Sequence, residues 1–396
     1  MDDVVLIGVD GGATKVLVHR VEILTNPLRF APMKPMIEVG YESSENHLPK
    51  FKPVALATQL AQHKAKKIEQ GKDEAQQESA ILESFSRAIS TLLPADDHST
   101  FILGVGLPGL KTPNKRGISA MANGPRMPQF LSKLEKMLKK QGYSTLHPIH
   151  AIGSDADYCG LGEHWGDEGA MREVENAYYL GVGTGVADAL LLNNAIIPFD
   201  EVKAWIPKTW EMMYNDEESF EDLISAQGIQ ERYAAATQTS LDELNAEKIF
   251  PWQIFERALE GQTEAVAVVN DTCAALSELL FLRITSLAQG NTEIKLIDKK
   301  RKLSSDHDHQ GKTFERIVIG QRLGDIWQFR DFDSILREPV ENTLGRRLHE
   351  SEIDAEIKSS YLTNTNRLRD DLIVSSELRH APALGAAVDA YLNWIK

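Results

Sequence analysis

Gly8-Val9-Asp10-Gly11-Gly12-Ala13-Thr14-Lys15 closes an apolar, β-branched run that starts at Val4, and a second such run occupies residues 16–21. Strand, glycine turn, strand is the pattern of a β-hairpin. A Rossmann or P-loop start would pass from strand into helix instead. A tight glycine turn exposes consecutive backbone N–H groups, and the missing Cβ atoms let a phosphate approach them. Gly11 and Gly12 supply that surface, Thr14 adds a hydroxyl donor and Lys15 a cation. Asp10, at the strand end, is placed to hold a magnesium ion through water.

The pattern recurs. Residues 177–182 and 189–192 read as strands around the turn Gly183-Thr184-Gly185-Val186-Ala187-Asp188. Two such hairpins, one near the start of each half, suggest a duplicated lobe. Gly183, Thr184 and Gly185 repeat the phosphate-binding arrangement; a purely structural turn is the alternative for either hairpin taken alone. Elsewhere the spacing predicts helices over 75–93, 129–141, 220–236, 251–260 and 383–395. Residues 263–289 form a longer, very apolar helix expected at the centre of a core. Further strands are expected at 101–107, 149–152, 293–297 and 316–319. The proline-bearing stretch 25–53 reads as loop running into helix.

The chain has 396 residues and a formal net charge of -15, which disfavours nucleic acid and anionic membranes as partners. Its two cysteines, Cys159 and Cys273, cannot make a disulfide framework, so a reduced, cytoplasmic compartment is expected. Met1-Asp2-Asp3 leads straight into the first strand with no basic segment of a signal peptide. No apolar run is expected to approach the length of a membrane span. Lys299 to Lys302, with His307 and His309 beyond, read as a solvated insertion rather than a targeting patch or a metal site.

Several segments, in order, resemble the ROK family (repressors, open reading frames and kinases), which includes bacterial glucokinase-like sugar kinases. Residues 8–15 are similar to its phosphate-1 hairpin, and Gly104 to Gly109 to its connecting strand and sugar-side turn. Ala122-Asn123-Gly124-Pro125 stands where the family has an asparagine that binds sugar hydroxyls. Ser154-Asp155-Ala156-Asp157 through Glu163 resembles its Asn-Asp-Ala-Asn…Ala-Leu-Gly-Glu segment. Residues 180–192 resemble phosphate-2, Ile317-Val318-Ile319-Gly320 the adenosine-binding strand end, and residues 383–387 the final helix.

The resemblance implies an α/β, two-lobed actin/hexokinase-like (ribonuclease-H-like) ATPase fold, each lobe a mixed sheet flanked by helices. Its lobes would be 1–153, completed by the helix 381–396, and 154–380. It implies ATP and Mg2+ as cofactors, a small-molecule sugar or amino sugar as substrate, and room for a homodimer. Asp155 takes the role of general base for phosphoryl transfer, a reaction that asks of a protein mainly positioning and charge neutralisation. An aspartate that starts a helix is also explained as a plain N-cap. Asn123 and Glu163 would contact the sugar; a turn asparagine and a solvated helix glutamate are the alternatives. Gly320 would face the adenosine.

The departures are specific. Phosphate-2 continues as Ala187-Asp188-Ala189 where the family has glycines, and an Asp188 side chain facing the site would repel phosphate. The family's zinc-binding histidine/cysteine cluster and its Gly-His step are missing, with Trp205, Trp210 and Met212 in that region instead. The adenosine loop reads Gly320-Gln321-Arg322-Leu323-Gly324, short of the usual glycines, and residues 25–80 and 299–313 look inserted. A catalytically weak or inactive sugar sensor of the same fold is the alternative to a kinase.

Overall fold

A computed structural model describes residues 4–93, 100–291 and 293–396; Met1-Asp2-Asp3 lie outside them. The chain divides into two compact units, Met1–Gly169 with His380–Lys396, and Ala170–Arg379.

The first unit holds β1 (Val5–Gly11), β2 (Lys15–Thr25), β3 (Leu28–Gly40), β4 (Thr100–Gly106), β5 (Leu110–Lys111), β6 (Ile118–Ala120), β7 (Ser144–Thr145) and β8 (Ile152–Gly153). Its mixed sheet runs β3-β2-β1-β4, with β7 and β8 both pairing with β4. β1, β2 and β3 are antiparallel neighbours, whereas β1, β4, β7 and β8 run parallel. Side chains alternate across a strand. Ile7 and Val9 therefore join one core with Phe85, Ile89, Phe130 and Leu134 of the helices Lys72–Leu92 and Phe130–Lys140. The opposite face presents Gly8, paired with Gly104 of β4. A Cβ at either position would collide with the backbone of the C-terminal helix Ala381–Trp394, at Ala383 and Ala386 respectively. Two bare positions side by side thus let that helix lie directly on the sheet.

The lobe boundary expected at residue 153 falls instead after Gly169. The helix Asp155–Trp165 belongs with the first unit because it packs on the C-terminal helix, backbone to backbone, at Gly162 against Ala381 and Gly385 against Tyr158. Tyr158 Oη also donates to Asp389 at 3.0 Å. The stretch expected to be loop contains β3, prolines included. Pro32 is tolerated because β3 is the outermost strand, where a missing N–H need not break a ladder.

In the second unit β9 (Ala177–Val182), β10 (Val186–Leu192), β11 (Ala195–Ile197), β12 (Arg316–Gly320) and β13 (Ile373–Ser375) run in the order β11-β10-β9-β12-β13. As with β2-β1-β4, a hairpin whose first strand pairs in parallel with a later one forms the centre. The helix Thr263–Gln289 is long and apolar enough to cross a membrane, contrary to the expectation that no run approaches that length. It is a core helix: Val268, Leu276, Leu280, Ile284 and Leu287 sit inside the unit's apolar cluster.

Three further expectations are corrected. Residues 293–297 form no strand, only a single bridge between Leu296 and Met212. The helix expected over 220–236 breaks into Phe220–Ile224 and Ala226–Thr237, because extended Ser225 caps the second through Gly228 N at 3.0 Å. The loop after residue 299 is packed rather than solvated at His307, which stacks on the buried Trp205 at 3.8 Å and bonds Ser286 O through Nε2 at 2.8 Å. The helix Arg337–Glu350 had no expectation in the sequence.

Candidate active site

Strand register brings the first unit's acidic residues together. Asp10 pairs with Gly106 of β4, and Gly106 pairs with Gly153 of β8. Three parallel strands therefore end level, and Asp155 starts its helix two residues past the third. Ligands of open α/β sheets bind beyond such carboxyl ends. Asp10 is partly buried, and desolvation first, then the nearby Asp155 carboxylate, raises its pKa to about 7.

Asp155 is the first residue of its helix, not its cap; the cap position is Ser154, whose carbonyl accepts from Tyr158 N at 3.0 Å. Among the described residues the Asp155 carboxylate has no hydrogen-bond or ion-pair partner. The N-cap alternative therefore does not account for it. A carboxylate here is favoured by the helix dipole and available to an incoming group.

The turn between β1 and β2 closes on itself, Gly12 N donating to Lys15 O at 2.8 Å, and leaves Ala13 and Thr14 exposed at the tip. Tyr41 braces it. Its buried phenol donates to Gly12 O at 3.0 Å and its N–H to Thr14 O at 2.9 Å. Sequence reasoning missed Tyr41, which lies within the proline-bearing stretch, just after β3. Lys15 pairs with Glu38 at 2.7 Å on the surface, so its charge is already engaged. Asn123 is exposed on the loop after β6, whereas Glu163 is fully buried, which removes the solvated-glutamate alternative.

The second unit's turn is also closed, Gly183 N donating to Gly185 O at 2.9 Å. Ala226 N, at the start of a helix, donates to Gly183 O at 2.9 Å, and Gln227 N to Thr184 O at 3.4 Å. Glu221 Oε1 accepts from Val186 N at 3.0 Å, and burial pushes its carboxyl above the usual range. Gly320 ends β12. Gln321 follows with a left-handed φ of 59°, and its carboxamide lies where a Cβ on Gly183 would be. Neither Glu221 nor Gln321 was singled out from sequence.

Asp188 does not face a phosphate. It is buried and accepts from Arg283 Nη2 at 2.9 Å, Tyr178 Oη at 2.5 Å, Thr209 N at 2.8 Å and Thr209 Oγ1 at 2.6 Å. Strand alternation turns it inward, where the long helix supplies Arg283 as counter-charge. The feared repulsion is absent.

Asp10 gives a pH-dependent prediction. A carboxyl whose folded pKa lies above its unfolded value stabilises the fold below the unfolded value, and that contribution is lost as pH rises through the folded one. Asp10→Asn should therefore stabilise the metal-free protein increasingly from pH 4 to pH 7 and level off above. Halving the linkage value for partial exposure leaves a plateau of about 2 kcal/mol. Thermal melts in EDTA at pH 4.5 and 8.5 check this; equal gains at both values contradict it.

No family model matches the chain, and no curated protein matches it by sequence. Solved structures do. A ROK family glucokinase from Streptomyces griseus, determined with glucose and AMPPNP, aligns over 98% of this chain and 99% of its own with a TM-score of 0.57 at 13% identity. The ROK hexokinase of Thermus thermophilus aligns over 98% and 99%, with a TM-score of 0.56 at 16% identity. A ROK family transcriptional regulator, a homologue of the E. coli MLC protein, is covered over 78% of its length by 98% of this chain, with a TM-score of 0.55 at 13% identity. The chain has the α/β actin/hexokinase-like fold of these proteins. The motifs resemble, in order, the family to which these solved structures of like fold belong.

Proposed function

We propose that this chain is a divergent ROK-type kinase that transfers a phosphoryl group from ATP to a hydroxyl of a sugar or amino sugar, with Asp155 as general base. The observation that carries the reading is Asp155 itself: a partnerless carboxylate at a helix start, coupled to a second carboxylate at the end of a neighbouring strand. A base must be able to reach the proton it takes, and a carboxylate already spent on a cap could not.

Asp10 fits a cation. Burial and the Asp155 charge raise the proton affinity of Asp10, and a divalent ion, which Asp10 would hold through water, would relieve that repulsion. A bound magnesium ion supplies neutralisation of phosphate charge. Asp10 would hold that ion through water, Asp155 would accept the acceptor's hydroxyl proton, and Asn123 would orient sugar hydroxyls. The turns 11–14 and 183–185, with Gly320, are the proposed phosphate and adenosine contacts. Glu163, buried on the helix that Asp155 starts, belongs to the proposed sugar site. A reducing, cytoplasmic setting belongs to this proposal and suits the two buried cysteines.

A sugar sensor of the same fold has one observation in its favour. Gln321 and Glu221 already sit against the 183–186 turn, Glu221 on a backbone N–H that a phosphate would use. ADP release from Mg-ATP across hexoses and N-acetylhexosamines separates the two. The kinase reading expects release that depends on one class of sugar. Sugar binding without any ADP release would move the sensor ahead.

A further inference from the structure

The loop between β6 and the helix Phe130–Lys140 carries Ala122 and Asn123 exposed at its tip, between the buried residues Met121 and Arg126. Each end is held by the segment 54–78. Gln59, in the helix Leu56–Lys64, has no exposed surface. Its Oε1 accepts from Met121 N at 2.8 Å. Its Nε2 donates to Met121 O at 3.1 Å and to Val54 O at 2.6 Å. One carboxamide thus pairs both backbone groups of Met121, as a neighbouring strand would.

At the other end Arg126 is buried against Glu74 at the start of the helix Lys72–Leu92. Its Nε donates to Oε1 at 2.7 Å, its Nη2 to Oε2 at 2.5 Å, and its backbone N–H to Oε1 at 3.2 Å. Nη2 also reaches Glu69 O at 2.8 Å, and Nη1 reaches Gln62 Oε1. Arg126 O accepts from Gln70 Nε2 at 2.7 Å. A buried polar group costs stability unless it is paired, so such a saturated set specifies one geometry.

We infer that the segment 54–78 is a clamp that sets the shape of the 121–126 loop and with it the sugar that the protein accepts, Gln59 and Arg126 being its positioning residues. This rests on the reading of Asn123 as a sugar contact. The clamp does no chemistry. It fixes both ends of a four-residue span, so Asn123 meets a hydroxyl from one direction only. Loss of one clamp lets the loop sample other arrangements, and the bound sugar must then restore order at the expense of affinity.

The test is calorimetric titration of the whole protein with glucose, mannose and N-acetylglucosamine, alongside hydrogen exchange of residues 119–127, in wild type, Gln59→Ala and Gln62→Ala. Gln59→Ala should speed exchange in that span. It should also weaken the sugar that wild type binds best by roughly tenfold, the loss of about one net hydrogen bond. Exchange around Asp10 and Asp155 should stay unchanged. Gln62→Ala, which spares the buried pairs, should lose less. Unchanged exchange, or faster exchange with undiminished sugar affinity, overturns the clamp. Wild type binding none of the three sugars overturns it together with the sugar-site reading. Binding of sugar is independent of turnover, so a failed kinase assay beside a Gln59-dependent affinity removes only the kinase reading.

Discussion

Asp155→Asn should lower sugar-dependent ADP release by roughly a thousandfold, within the range attributed to general bases, with sugar and nucleotide affinities kept within about threefold. The substitution is nearly isosteric, and among the described residues the Asp155 carboxylate makes no hydrogen bond that the fold would lose. Removing that charge also relieves Asp10, whose raised proton affinity owes part of its shift to Asp155. The variant should therefore be slightly more stable than wild type above pH 7. Loss of rate with gain of stability is the signature of a charge kept for chemistry. A variant that keeps full turnover removes Asp155 from the mechanism. One that loses turnover by unfolding contradicts the local geometry described above.

The second large effect concerns folding. Arg283→Met should destabilise the second unit by about 3–5 kcal/mol, the usual result of leaving one partner of a buried ion pair without the other. Arg283 is completely buried, and beyond Asp188 it donates to Pro207 O at 2.6 Å, Thr209 Oγ1 at 2.7 Å and Tyr178 Oη at 3.1 Å. It ties the core helix to β9, β10 and the Thr209 turn. Replacing both partners, as Arg283→Met with Asp188→Leu, should cost less than Arg283→Met alone, because no orphaned charge remains. Urea titrations of the three variants check the ordering. A cost under 1 kcal/mol for Arg283→Met would mean that water reaches Asp188.

How much of this was legible in the sequence depended on the range of the interactions. The two glycine hairpins are local, and residues 8–15 and 177–185 announce them. Asp155 was legible because a short apolar run, a carboxylate and a small-residue helix follow one another directly. Asp188 was misjudged because its charge had to be read without Arg283, which lies 95 residues away. Tyr41, Glu221 and Gln321 were overlooked for a similar reason: each acts on a turn that lies far off in the chain. The prolines of β3 read as loop because edge position, which excuses them, is a property of the sheet. The Gly8 and Gly104 pair carried a signal that only register exposes, since their shared task is to admit a helix from the far end of the chain.

The central claim is most directly tested by following products rather than ADP alone. Wild-type protein is incubated with Mg-ATP and the hexose and N-acetylhexosamine panel, and sugar monophosphate and ADP are quantified together by mass spectrometry. The account predicts a sugar monophosphate formed one for one with ADP, and neither product from Asp155→Asn at the same concentration. ADP without sugar phosphate, or sugar phosphate formed equally by the variant, would contradict it.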